Sequence, residues 1–376
     1  MRPRTLQIGN VETLAAANAA EYDHELHSTT LADERYPPRA PNYARFYEPT
    51  ARVESFSGLD IIRLGAALFV ALYHLGYYWP AQKIRYFSPG WVGVEVFFVL
   101  SGFVIAFSAD GKTVSQFLKS RIARLYPAAF VCSTVIVALD PSSLATYLRS
   151  IALSPIGPWV DGVYWTLPIE MAFYGLVALA IWRRWSLASL AFGLGIYSST
   201  FWAAKLLNLL FPFADFSLIE NDAGYLLLAH FGVFFALGIA IYKLRFLMAG
   251  AFAFIALTAT AWMSHAVHVP GAPFYAAPAI WLWATCVVVG CVIWNDRVNS
   301  YLRWVPTRTL GLMTYPFYLL HTVVGNSIAA AVRNPAWGMI LGLFGAIAAA
   351  WLVLPLEKRI RHLFHLHKTV APANLP

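Results

Sequence analysis

The chain of 376 residues is 59% hydrophobic and only 12% charged. An ordinary soluble domain carries about a quarter charged residues, so the composition excludes a soluble enzyme and points to a polytopic membrane protein. The formal net charge of +8 does not indicate a nucleic-acid partner, because the basic residues fall in short loops between apolar runs, as membrane topology requires.

In chain order, the first 55 residues are polar, charge-mixed and proline-containing, and read as a loosely ordered tail. They contain no apolar core of the kind a cleavable signal peptide needs. Apolar runs long enough to span then occur near 60–79, 91–109, 123–139, 163–182, 186–208, 224–242, 246–264, 274–294, 309–331 and 336–354. The fold class is therefore all-α, a transmembrane helix bundle of about ten spans. Segment 141–161, PSSLATYLRSIALSPIGPWVD, is too interrupted by proline to span and reads as an interfacial or re-entrant piece. A short tail, 363–376, follows the membrane domain at 56–362. Cys132, Cys286 and Cys291 lie within predicted spans and give neither a disulfide framework nor a metal-ligand spacing.

Loop charge sets the orientation. With both termini cytoplasmic, the inner loops hold Lys112, Lys119, Arg121, Arg124, Arg183, Arg184, Lys243, Arg245, Arg297, Arg303, Arg308, Lys358, Arg359, Arg361 and Lys368. The outer loops hold only Lys83, Arg85, Arg149, Lys205 and Arg333. The asymmetry favours N-in, C-in and an even number of spans.

Ionisable residues inside a span cost about 2.5–3.5 kcal/mol each on insertion scales, so each calls for a partner or a purpose. They are Arg63, His74, Glu95, Glu170 and His321, with His230 a weaker sixth. Arg63 and His74 are eleven residues apart on one predicted helix, about 16 Å along its axis and within about 20° of the same face. The predicted depths of His74, Glu95 and Glu170 allow all three to share a layer. Each also has a structural reading. Arg63 can snorkel to the headgroups, each histidine can be a hydrogen-bonded packing residue, and Glu170 can belong to an aromatic belt kinked at Pro168. At the mouth of the third span, FLKSRIARLYP places Arg121 and Arg124 on one helical face, either as inside-positive topology or as a clamp for one polyanion.

Taken together, RLGAALFVALYH, GWVGVEVFFVLSGFVI, RIARLYP, YWTLPIEMAFY and YPFYLLH resemble the acyltransferase family 3 membrane proteins, which acylate bacterial exopolysaccharides and O-antigens. The resemblance covers about residues 55–362. Glu95 stands where many members have aspartate, so the carboxylate is kept. The resemblance implies a bacterial inner-membrane acyltransferase using acetyl-CoA or another acyl-CoA as co-substrate and a surface or lipid-linked glycan as acceptor. It makes Arg63 and His74 the leading catalytic pair and Glu170 a site residue; in a mechanism that fits, His74 is the general base and Glu170 or Glu95 fixes its tautomer. Arg121 and Arg124 become the leading acyl-CoA contacts, with Lys119 beside them at the mouth of the third span as a further candidate, while His321 and Ser101 are other site candidates. No metal is implied. Without the motifs, a proton-coupled transporter using the same histidine and glutamates is the rival reading, and a non-catalytic partner in glycan export is a third.

Overall fold

A computed structural model describes residues 55–77, 85–212, 214–217, 219–267 and 273–366. The expected N-terminal tail, apart from Ser55, lies outside them, as do residues 367–376 of the expected C-terminal tail. Thirteen α-helices are described: α1 Ser57–Tyr77, α2 Val92–Ala109, α3 Val114–Leu139, α4 Leu144–Ile151, α5 Thr166–Arg183, α6 Leu187–Leu210, α7 Asp222–Tyr225, α8 Gly232–Tyr242, α9 Phe246–Ala266, α10 Ala276–Ile293, α11 Asn295–Tyr301, α12 Thr307–Ala330 and α13 Pro335–Leu366. Short 3-10 turns precede α2 (Arg85–Trp91) and α5 (Gly162–Trp165), and no strand occurs among the described residues.

Eight helices in the described residues are long and apolar enough to cross a bilayer, where the sequence predicts about ten spans. The two differences have separate causes. Over 224–242 only α8 forms, with 11 residues, about 16 Å of helix against a hydrocarbon core of about 30 Å. Leu228 takes a left-handed φ of 60° and ends helical propagation before it. Over 309–331, α12 has the length, with 24 residues, but its threonines, tyrosines, asparagine and histidine dilute its hydropathy. Segment 141–161 contains only α4, 8 residues long, whose Leu144 and Leu148 are exposed.

Helix ends follow local chemistry. Thr113 and Gln116 form a reciprocal capping box on α3, and Ser143 and Ser186 cap α4 and α6. At the end of α5, Arg184 adopts a left-handed φ of 57°, and Trp185 N–H then bonds the Ala180 carbonyl at 2.9 Å, closing the helix. Within lipid, close packing rather than hydrophobic expulsion holds such helices together. Gly102 of α2 and Gly238 of α8 bring those helices to backbone contact: a Cβ on either would fall on a carbonyl of the other helix, at Phe235 or Val99. Phe173 of α5 stacks on Phe235 of α8 at 4.2 Å, a contact worth about 1 kcal/mol beyond its area.

The two ends of the bundle differ in charge. Asp110, after α2, accepts hydrogen bonds from Lys243 at 2.7 Å and Tyr242 at 2.9 Å, which joins the α2–α3 and α8–α9 turns. Asn299 of α11 binds the backbone of Ser55 and Ser57, fixing the start of α1 at this same basic end. At the opposite end, Lys205 of α6 pairs with Glu220, and Asp161 accepts from Thr322 of α12.

Candidate active site

Two cavities enter the bundle from these ends. The narrower, about 70 Å³, lies toward the basic end and is lined by Arg63, Arg121, Arg124, Glu170, Ser101 and Tyr315, among others. The wider, about 1010 Å³, lies toward the opposite end and includes His74 and Glu95 in its wall. Tyr318 and Val94 line both, so a partition only a side chain thick separates them.

Helix α1 supplies a residue to each cavity. Its N-terminal third carries Arg63, whose Nη1 lies 3.3 Å from Asp60 Oδ1 one turn earlier, and its C-terminal third carries His74. The spacing read from the sequence therefore places the pair in two different compartments.

His74 Nδ1 lies 2.8 Å from His321 Nε2. His321 is fully buried, and its Nδ1 lies 2.7 Å from the Tyr318 carbonyl. A carbonyl only accepts, so His321 Nδ1 carries the hydrogen and, in the neutral ring, Nε2 is an acceptor. His74 Nδ1 must then donate, which leaves His74 Nε2 as its basic nitrogen. Backbone carbonyl acceptance at His321 Nδ1 thus fixes the tautomers of two imidazoles.

Neither glutamate is hydrogen-bonded to His74 among the described residues. Glu170 accepts from Tyr174, one turn on in α5, at 2.7 Å, and is 3.5 Å from Ser101 Oγ. Arg121 is buried, with its guanidinium 5.9 Å from the rings of both Phe117 and Tyr174. Glu170 therefore belongs with the arginines as a counter-charge in the narrow cavity. Glu95 is 2% exposed, its Oε2 accepts from Thr260 of α9 at 2.7 Å, and its Oε1 has no partner among the described residues. The layer expected for His74, Glu95 and Glu170 is thus divided between the two cavities. Lys119 is exposed and does not line the cavity that Arg121 and Arg124 share.

Sequence reasoning missed Tyr318, Tyr174 and Tyr315, because a tyrosine in an aromatic-rich span carries no signal of its own. The Tyr315 hydroxyl is buried, lines the narrow cavity and has no partner among the described residues. Lys205, counted as an outer-loop charge, lines the wide cavity together with Glu220.

Two cavities that meet at Tyr318 and Val94 within a helical bundle, one walled by arginines and the other by His74, define a multi-pass membrane protein with buried polar groups. Residues 56–354 match the family described as the acyltransferase domain. The chain belongs to that family, and the five motifs named above all fall within the matched region. It is 35% identical over 120 residues to YrhL of Bacillus subtilis (strain 168), covering 29% of this chain and 18% of that one. It is 31% identical over 122 residues to the exopolysaccharide production protein ExoZ of Rhizobium meliloti (strain 1021), covering 27% and 38%. It is also 31% identical over 106 residues to the peptidoglycan O-acetyltransferase OatA of Listeria monocytogenes serovar 1/2a (strain ATCC BAA-679 / EGD-e), covering 26% and 15%. The chain therefore spans well under half the length of these curated relatives. No solved structure matches it.

Proposed function

We propose that the protein moves an acyl group, acetyl in the first instance, from cytoplasmic acyl-CoA to a hydroxyl of a cell-surface or lipid-linked glycan. The observation that carries this reading is the pair of cavities meeting at Tyr318, one lined by arginines and the other containing His74 in its wall. With the basic end cytoplasmic, as the positive-inside rule favours, the N-terminus lies inside a bacterial cytoplasmic membrane and the donor arrives from below.

The narrow cavity carries three arginines against the single carboxylate of Glu170, a positive balance suited to the phosphates of coenzyme A. Its small volume suits the thin pantetheine arm, with the nucleotide held at the mouth by Arg121 and Arg124. Arg63 and Tyr315 then flank the arm further in. The wide cavity is lined by Trp91, Trp165, Trp202, Tyr225 and Trp262. Aromatic faces interspersed with polar groups suit a saccharide, whose rings have apolar faces and hydroxylated edges.

In the reaction, His74 Nε2 takes the proton of the acceptor hydroxyl as its oxygen attacks the thioester carbonyl. The tetrahedral intermediate collapses, the C–S bond breaks, and the thiolate recovers the proton from His74. Ester and free coenzyme A are the products. His321 accepts the hydrogen bond from the His74 imidazolium, the position a carboxylate occupies in a hydrolase triad.

The test uses the purified protein in liposomes with radiolabelled acetyl-CoA and surface glycan from the host. Label should appear in glycan with the wild type and be lost with His74→Ala. Full-rate transfer by a correctly inserted His74→Ala variant overturns the assignment of the base, and absence of any acyl-CoA turnover by the wild type overturns the donor.

A further inference from the structure

A second polar centre in the wide cavity takes no part in the chemistry above. Lys205 projects from α6, its side chain only 12% exposed, and pairs with Glu220. Its ammonium lies 5.4 Å from the Trp262 ring, 5.7 Å from Trp202 and 5.9 Å from Phe201. His230 Nε2 is 3.7 Å from the same Glu220 oxygen. The His230 ring is 6% exposed, and its Nδ1 is buried without a hydrogen-bond partner among the described residues. A nearly buried cation and an unsatisfied imidazole nitrogen among aromatic rings, with an exposed carboxylate at their edge, are costly to hold together. All three line the cavity that holds His74.

Resting on the proposed glycan reading, we infer that Lys205, Glu220 and His230 form a recognition subsite for an electrically neutral sugar unit adjoining the one acylated at His74. The protein then acts on an oligosaccharide or polymer in preference to a single sugar. Three observations support this. Cavities of about 300–1,000 Å³ hold whole drug-sized ligands, so a volume of about 1010 Å³ has room for more than one sugar ring. The Lys205–Glu220 pair offers a donor beside an acceptor, the complement of two neighbouring hydroxyls, with the Trp202 and Trp262 faces alongside. The charge balance disfavours acidic units: Lys205 is paired with Glu220 and is the sole lysine or arginine among the described lining residues, while Asp215 adds a carboxylate.

The experiment uses full-length protein in liposomes, acetyl-CoA as donor, and host surface glycan partly hydrolysed and fractionated by length and charge. The wild type should show a kcat/KM at least about tenfold higher for neutral fragments of three sugars than for single sugars, the worth of one or two charge-assisted hydrogen bonds. Acidic fragments of equal length should be poor acceptors. Lys205→Met, Glu220→Gln and His230→Gln should each bring that length ratio down toward one. The KM for acetyl-CoA, which binds in the other cavity, serves as the control for folding. A wild-type rate independent of fragment length overturns the inference, as do variants that keep the wild-type length ratio or a preference for acidic fragments. Failure to acylate any fragment overturns the glycan reading itself.

Discussion

His74 on α1 and His321 on α12 stand 247 residues apart in the chain yet share a hydrogen bond of 2.8 Å. The bond's direction is set from outside the pair, by the Tyr318 carbonyl bonded to His321 Nδ1 at 2.7 Å. In the proposed reaction His321 acts through His74, as a positioning residue.

His321→Ala should lower kcat about 10- to 100-fold, within the range that general-base catalysis contributes, and leave the KM for acetyl-CoA unchanged. His321→Gln places an amide oxygen near the same spot and should recover part of the loss. Steady-state acyl transfer in membranes measures both. Equal activity of the alanine and glutamine variants would sink the tautomer argument.

In the narrow cavity, Arg121→Gln and Arg124→Gln should each raise the KM for acetyl-CoA about tenfold, as expected for loss of a charge-assisted contact. Lys119→Gln, altering an exposed side chain outside the cavity, should stay within about twofold of wild type. A dephospho-CoA thioester identifies which arginine meets the 3′-phosphate, because that variant shows a smaller penalty with this donor.

Burial pushes the Asp161 carboxyl from its usual 3.8 up to about 6. Between these values the folded protein holds a proton that the unfolded chain has released, so stability from this group is highest below pH ~4. It falls as pH rises to about 6 and is flat above. Asp161→Asn stays neutral throughout and should flatten the profile, gaining relative to wild type at pH 7 by at most roughly 3 kcal/mol. Unfolding midpoints in detergent from pH 4.5 to 7.5 read this directly; parallel profiles for variant and wild type would refute it.

Gly238→Ala should destabilise the bundle by roughly 3 kcal/mol or more, as forced overpacking in a core does. The new methyl meets the Val99 carbonyl, a backbone atom that cannot rotate away. Gly250→Ala, where nothing lies within 4 Å of the added carbon, is the control. Thermal unfolding of the two variants should differ by many degrees.

Much of the architecture was legible because lipid imposes a simple rule: long apolar runs become helices. The rule lost detail at α8, where a left-handed Leu228 shortens the helix, and at α12, where polar side chains face the interior of the bundle. Arg63, His74, Glu95, Glu170 and His321 were legible as site candidates because each is expensive in a span. Their partners were not. Sequence spacing reports depth along one helix, whereas the His74–His321 bond and the assignment of Glu170 to the arginines depend on which helices are neighbours. Tyr318 was invisible for a further reason: its part is played by a ring that divides two cavities and by a backbone oxygen that every residue possesses.

The partition at Tyr318 has an electrical consequence. Where cavities reach in from both ends, the insulating layer is thinnest between them, and here Tyr318 and Val94 line both. A unit charge crossing the full potential gains or loses about 2.3 kcal/mol per 100 mV. His321, bonded to the Tyr318 carbonyl, and its partner His74 lie beside this place. On the proposed reading, acyl transfer in an energised cell takes place beside the ring at which the two cavities meet.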